Sequence, residues 1–245
     1  MLIAANWPIQ AQVGALSSTR LLRGYSLPPY DSFNVAEHVG DEPQHVAANR
    51  HLLAQYLPNP PVWLEQVHGS DVIAVSSASQ RQQVEQADAL YTQLRGQPLA
   101  IMTADCLPIL LCSADGAEVA AIHGGWRPLA GGIVAKTVAH FSAPSSQIYA
   151  WLGPAIGPDA FEVGAEVKAA FCALDPNMDG AFKKHPEQEN KYFADIFLLA
   201  QLQLQTAGVS AIYSDELCTV SNPSQFYSYR REGRTGRMVT LIWRK

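Results

Sequence analysis

The sequence predicts a mixed α/β fold in a single domain. Three observations carry this prediction: seven short apolar runs rich in branched residues, four stretches of helical periodicity between them, and a composition suited to burying a core. The chain has 245 residues, 48% hydrophobic and 16% charged, and α/β units of that size commonly fold as one domain. No internal repeat or low-complexity tract suggests an array or a linker.

The elements follow in order along the chain. Asp41-Glu42-Pro43 opens a helix, with an acidic cap and a proline where its missing N–H costs nothing. Val46, Asn49, Leu53, Tyr56 and Leu57 then fall near one face. Residues 62–67 and 72–75 read as strands, and the polar stretch 76–86 as a loop. Runs 99–103, 109–112 and 119–122 are short and apolar, as buried strands are. Leu129, Ile133, Thr137, Val138 and Phe141 repeat a helical spacing. After a strand at 148–152, Val163, Val167, Phe171 and Leu174 repeat it again. Polar residues 175–191 read as a loop, and 194–207 as a fourth helix with Gly208 as its stop. A strand at 238–243 closes the pattern.

Charge and composition narrow the function. Lys+Arg total 17 against Asp+Glu 22, a formal charge of -5, whereas nucleic-acid-binding surfaces usually carry a basic excess. No apolar run approaches the roughly 18 residues that span a bilayer. The first twenty residues lack the basic and apolar regions of a signal peptide, so a cytoplasmic protein without membrane or nucleic-acid partners is expected. Cys106, Cys112, Cys172 and Cys218 are widely spaced; a metal ligand or reactive thiol suits them better than disulfides in a reducing compartment.

The chemistry gathers in three phrases: Glu65-Gln66-Val67-His68-Gly69, Thr103-Ala104-Asp105-Cys106-Leu107-Pro108 and Ala121-Ile122-His123-Gly124-Gly125-Trp126-Arg127. Each brings an apolar run to a residue of metal-binding type beside a turn. Two imidazoles and a thiolate form a natural zinc set, and three protein ligands leave an open catalytic position. The separations are long, so each residue alone also reads as a hydrogen-bonding His or a small buried Cys. Asp105 is a candidate for orienting a ligand or exchanging protons, and otherwise a turn cap. Arg127 reads equally as a bidentate anion binder or as an ordinary surface ion-pair partner. The run from Tyr229 to Arg237 holds Arg230, Arg231, Arg234 and Arg237, which reads as an anion clamp or a solvated loop.

Taken together, phrases spread along almost the whole chain resemble the YfiH-type, or laccase-domain, family, described as purine nucleoside phosphorylases. They comprise Tyr30-Asp31-Ser32-Phe33-Asn34-Val35 with His38-Val39-Gly40-Asp41, Asn49-Arg50, Gln66-Val67-His68-Gly69, and Ala87-Asp88-Ala89. They continue with Thr103 to Pro108, His123 to Arg127, Gly153-Pro154-Ala155-Ile156-Gly157, Phe161-Glu162-Val163-Gly164, Ser228-Tyr229-Arg230-Arg231 and Thr235-Gly236-Arg237. The resemblance implies a four-layer α/β/β/α sandwich with mixed sheets. It also implies metal ligation by His68, Cys106 and His123. This chain departs from the commoner His-Ala-Gly-Trp-Arg form by carrying Gly124, and places Pro128 where glycine is familiar.

Activities ascribed to that family frame the expectations. The first is zinc-dependent phosphorolysis of adenosine, inosine, guanosine and methylthioadenosine, with adenosine deamination alongside. Cys106, Asp105 and Arg127 are then the expected catalytic residues, and Asn34, His38, Glu65, Arg230, Arg231 and Arg234 the expected substrate contacts. The partners would be a nucleoside and phosphate, in a monomer or homodimer. Alternatives are a peptidoglycan-precursor-editing hydrolase using the same Cys/His set and a copper-dependent polyphenol oxidase. A Cys with two His can hold copper, but the sequence offers no His-x-His array for linked copper sites.

Overall fold

The computed structural model describes residues 1–77 and 84–245. The chain begins with β1 (Leu2–Ala4) and β2 (Val13–Ser18), then α1 (Pro43–Ala54), β3 (Leu64–Glu65), β4 (Val72–Val75), β5 (Glu85–Gln86) and β6 (Ala89–Thr92). Three buried strands follow: β7 (Leu99–Thr103), β8 (Leu107–Ser113) and β9 (Val119–Gly124). Helices α2 (Trp126–Ala130) and α3 (Ile133–Val138) lead to β10 (Ile148–Leu152), β11 (Glu162–Gly164) and α4 (Ala165–Leu174). The remainder is β12 (Phe182–Lys184), β13 (Lys191–Ala194), α5 (Ile196–Thr206), β14 (Ala211–Ser214), α6 (Tyr229–Glu232) and β15 (Met238–Arg244).

Two large sheets organise the chain. One has the order β1-β2-β15-β7 and the other β14-β10-β8-β9-β6-β4. The first is antiparallel throughout. The second is mixed, with β4 parallel to β6 and β14 parallel to β10 at its two edges.

Side-chain alternation with a period of two decides the layering. Leu99 and Ile101 of β7 meet Leu110 and Cys112 of β8, and Ala121 of β9, between the sheets. The intervening Ala100 and Met102 face outward and pack with Phe33, Val35 and Leu53 of the α1 region. Likewise Leu107, Ile109 and Leu111 face a second outer layer built from α2, α3, α4 and α5, including Ile133, Phe171 and Leu199. The result is the α/β/β/α arrangement that the resemblance implies. No helix among the described residues is long and apolar enough to cross a membrane.

Several element readings shift for local reasons. The single helical stretch from Leu129 to Phe141 is broken into α2 and α3 by Gly132, which sits at φ 77, a conformation that favours glycine. Val163 belongs to β11, and the helix begins only at Ala165, after Gly164. Tyr56 lies beyond α1 and is 51% exposed. The polar 175–191 stretch contains a 3-10 turn over Pro176–Ala181 and β12, because Met178, Ala181 and Phe182 are buried. Of the 76–86 loop reading, residues 78–83 lie outside the described residues, and Glu85–Gln86 pairs with β3. The fourth helix holds: Asp195 caps it by accepting from Leu198 N, and it ends before Gly208.

Candidate metal centre

The three metal-type side chains come from turns that the sandwich brings to one end. After β3 the chain turns sharply at His68, whose φ is 58. The tight β7–β8 turn carries Cys106 next to Asp105, itself at φ 91. His123 lies near the end of β9, opposite Pro108 of β8. Their ligand atoms all lie within 4.8 Å of one another, and Cys106 Sγ is 4.0 Å from His68 Nε2. The two imidazoles meet edge to face, with ring centroids 4.7 Å apart. His123 is buried, Cys106 half-buried and His68 exposed, so the cluster has a protein wall behind it and an open side. Gly125 makes this approach fit: a Cβ there would lie 3.2 Å from Cys106 Sγ and 3.4 Å from His68 Cδ2.

Asp88 holds two arms of the cluster at once. Its carboxylate is fully buried and accepts from His123 Nδ1 at 2.7 Å. It also accepts from the backbone N–H groups of Val67, His68 and Gly69 at 3.2, 3.0 and 2.6 Å. The latter bonds hold the strained turn at His68, and the former leaves Nε2 of His123 as the free ring nitrogen. Burial pushes the Asp88 carboxyl up, but these bonds outweigh it and leave its pKa below the ordinary value.

The thiol and His123 perturb one another. Burial pushes the Cys106 thiol up, yet the charge and hydrogen bonding of His123 and His68 prevail and bring it down to about 6. Burial alone would lower the His123 pKa. The Cys106 thiolate and Asp88 instead raise it to about 9. In the metal-free protein this pair is a thiolate beside an imidazolium at neutral pH.

Two cavities open beside the cluster and share His68, Ala104, Cys106 and Tyr229 in their linings. The first, of about 360 Å³, is also lined by His38, Gln66, Thr103 and Arg237. The second, of about 270 Å³, is lined by Trp126, Arg127, Ile156, Phe161, Ile196 and Arg230. Arg127 rests on the Trp126 ring at 4.5 Å, and its exposed guanidinium has no ion pair or hydrogen bond among the described residues.

The other expected contacts divide sharply. His38 lines the first cavity, while Arg127 and Arg230 line the second. Arg230 donates to the carbonyls of Ala160 and Glu162. Asp105 also borders the second cavity, but its carboxylate is occupied by Thr219 Oγ1, Ser228 Oγ and Arg230 N at 2.6, 3.0 and 2.7 Å. It ties the β7–β8 turn to the C-terminal segment. Asn34 is fully buried, and its amide bonds Ala36, Asp41 and Arg237 N, leaving little for a substrate. Arg231 donates to the carbonyls of Thr219, Val220 and Phe226, and Arg234 to Tyr30 Oη and Gly40 O. Neither lines a cavity beside the cluster. Glu65 accepts from Gln86 on the exposed side of β3, because alternation sends Gln66, not Glu65, toward the site. Gln66 pairs with both the N–H and C=O of Met102.

Asp88, Thr103 and the aromatic pair Trp126 and Phe161 had no assigned role in the sequence, and Arg237 stood out only as one member of the arginine run. Asp88 carried one usable signal: an acid set between alanines at the head of an apolar run must find partners if that run is buried.

The donor set fits a metal ion. Zinc–ligand bonds of about 2.0–2.3 Å place tetrahedral donors about 3.5 Å apart, so the gathered atoms need close by only about an ångström. Thiolate and imidazole suit zinc or copper alike.

Comparison with known proteins sets this site in context. A family model described as multi-copper polyphenol oxidoreductase laccase matches residues 15–245. The chain is 50% identical over 247 residues to the purine nucleoside phosphorylase YfiH of Shigella flexneri, covering 99% of this chain and 98% of that protein. It is 49% identical to its Escherichia coli (strain K12) counterpart, with the same coverage. The crystal structure of Neisseria meningitidis protein NMB0706 superposes with a TM-score of 0.94 at 41% identity, covering 100% of this chain and 99% of that one.

Proposed function

Because the chain belongs to the multi-copper polyphenol oxidoreductase laccase family, and close relatives bear the name purine nucleoside phosphorylase, we propose that it is a zinc-dependent purine nucleoside phosphorylase. The observation that carries this reading is the His68–Cys106–His123 cluster opening on two cavities at once. Phosphorolysis joins two substrates at one carbon, and a reactive centre between two cavities suits it. The substrates are adenosine, inosine, guanosine and methylthioadenosine, with adenosine deamination as a second activity.

The purine base occupies the second cavity, where Trp126, Phe161 and Tyr229 offer aromatic faces for stacking. Arg127 donates hydrogen bonds to base heteroatoms and so stabilises the charge that develops on the departing base. Asp105 acts as a positioning residue, holding Cys106 and Arg230 in place through its three accepted hydrogen bonds. His68, Cys106 and His123 hold the metal. When bound it supplies Lewis-acid polarisation and fixed positive charge. A small-molecule enzyme with reduced cysteines fits the cytoplasm.

One alternative has an observation behind it. The depressed Cys106 thiol beside His123 suits a nucleophile, as in an editing hydrolase acting on peptidoglycan precursors. Linked copper oxidation is less well supported, since the described residues contain a single His/Cys/acid cluster of metal-binding geometry. Base release from inosine, followed with and without phosphate in zinc-loaded and chelated protein, separates these readings. Phosphate- and zinc-dependent release supports the proposal. Activity that survives chelation points to the thiol nucleophile.

A further inference from the structure

The first cavity carries polar groups that the fold leaves unused. Thr103 lines it at the end of β7 and is only 2% exposed, yet its Oγ1 has no hydrogen-bond partner. A buried hydroxyl is normally satisfied, and an unsatisfied one at a cavity wall calls for a ligand. Arg237 lines the same cavity and contacts no carboxylate; its guanidinium donates only to the carbonyls of Thr235 and Gly236, each at 3.0 Å. The loop that presents it is fixed by Asn34 Oδ1, which accepts from Arg237 N at 2.9 Å. His38 stands at the mouth. No aspartate or glutamate lines this cavity beside Arg237; the Cys106 thiolate, itself a proposed metal ligand, is the anionic group in its lining.

We propose that Thr103, Arg237 and His38 form a subsite for a tetrahedral oxyanion, inorganic phosphate, in the cavity beside the metal cluster that the nucleoside base does not occupy. The proposal rests on the phosphorolytic reading and deepens it by giving each substrate its own cavity. A guanidinium with an adjacent hydroxyl and imidazole is a donor set for phosphate oxygens. The second cavity sets Trp126, Phe161 and Tyr229 beside the Arg127 and Arg230 guanidinium groups, aromatic faces with hydrogen-bond donors that suit a base. The division also matches the reaction. A phosphate oxygen forms the new bond to C1′ as the C1′–N9 bond breaks. The N9 electron pair leaves with the base, and the proton lost by hydrogenphosphate ends on that base. Attack and departure occur at the same sugar carbon, and two cavities that share His68, Cys106 and Tyr229 in their linings can hold the two groups on either side of that reaction. Burial pushes the Arg237 pKa down, while the Cys106 thiolate and Asp105 push it up. The guanidinium stays charged throughout the working range.

The test uses full-length, zinc-loaded protein carrying Thr103→Val or Arg237→Gln, with Phe161→Leu as the contrasting variant. Circular dichroism and metal content establish that each is folded and loaded. Inorganic phosphate binding is measured by calorimetry without nucleoside, and KM is measured separately for phosphate and inosine. Both subsite variants should weaken phosphate binding and raise its KM by about tenfold or more. The KM for inosine should stay within about twofold. Phe161→Leu should show the reverse split. Unchanged phosphate binding in both subsite variants, or no phosphate binding by the wild type, overturns the subsite. Phosphate binding that is lost in both variants, in a wild type that releases no base, sustains the subsite and overturns phosphorolysis instead.

Discussion

Replacing Asp88 by asparagine perturbs the cluster without touching a metal donor. In the native protein Oδ1 accepts from His68 N and His123 Nδ1, while Oδ2 accepts from Val67 N and Gly69 N. Asparagine keeps one carbonyl oxygen, so one pair of donors faces an amide NH₂ instead of an acceptor. Each unsatisfied buried donor costs about 1–3 kcal/mol, and partial relaxation of the His68 turn brings the expected loss of stability to about 2–4 kcal/mol. Because the carboxylate sets both the ring orientation of His123 and the turn presenting His68, zinc affinity should fall about 10–100-fold. Competition against a chromophoric chelator measures the affinity, and thermal unfolding of the metal-free forms measures the stability. A folded D88N protein that binds zinc within about twofold of the wild type would refute the clamp.

Other perturbations have equally definite outcomes. Gly125→Ala places a Cβ about 3.2 Å from Cys106 Sγ; it should weaken zinc binding by the same competition assay while leaving the metal-free melting temperature nearly unchanged. Arg231→Met removes donors to three backbone carbonyls and should cost about 1–3 kcal/mol in denaturant unfolding. The KM for phosphate should not change, since the side chain lies away from both cavities. In metal-free protein, thiolate absorbance near 240 nm should titrate with a midpoint near pH 6 and disappear in Cys106→Ser. Cys106 is depressed in the folded state, so its contribution to stability is complete above the unfolded thiol pKa and lost as pH falls through about 6. His123 is raised, so its contribution is present below the ordinary imidazole pKa and lost as pH rises through about 9. The two trends oppose one another, so metal-free stability should stay nearly flat between about pH 6 and 9.

The sequence disclosed the strands best where both faces are buried, because runs such as 99–103 and 119–122 are apolar without interruption. It disclosed less where structure depends on partners far along the chain. β1 and β2 are short; β2 exists through pairing with β15, and β1 through pairing with β2. Gly132 splits an otherwise regular helical period, a break that hydrophobic spacing does not register. At the site, the three donors were legible from residue type and from the family phrases. Their supports were not, since Asp88 acts from the bend before β6, 35 residues before His123. The arginine run shows the converse: chemically similar side chains as little as one residue apart have different duties. Arg231 and Arg234 bind carbonyls or a phenol to hold the C-terminal loop. Arg230 and Arg237 reach the two cavities.

The most direct test of the central claim pairs metal content with phosphate-dependent release of purine base from inosine, in wild type and Cys106→Ser. One zinc per chain in the wild type, with base release that requires phosphate and is lost together with zinc in the variant, is the predicted result. Undiminished phosphorolysis by the wild type after zinc is stripped, or by a metal-free Cys106→Ser protein, would contradict it.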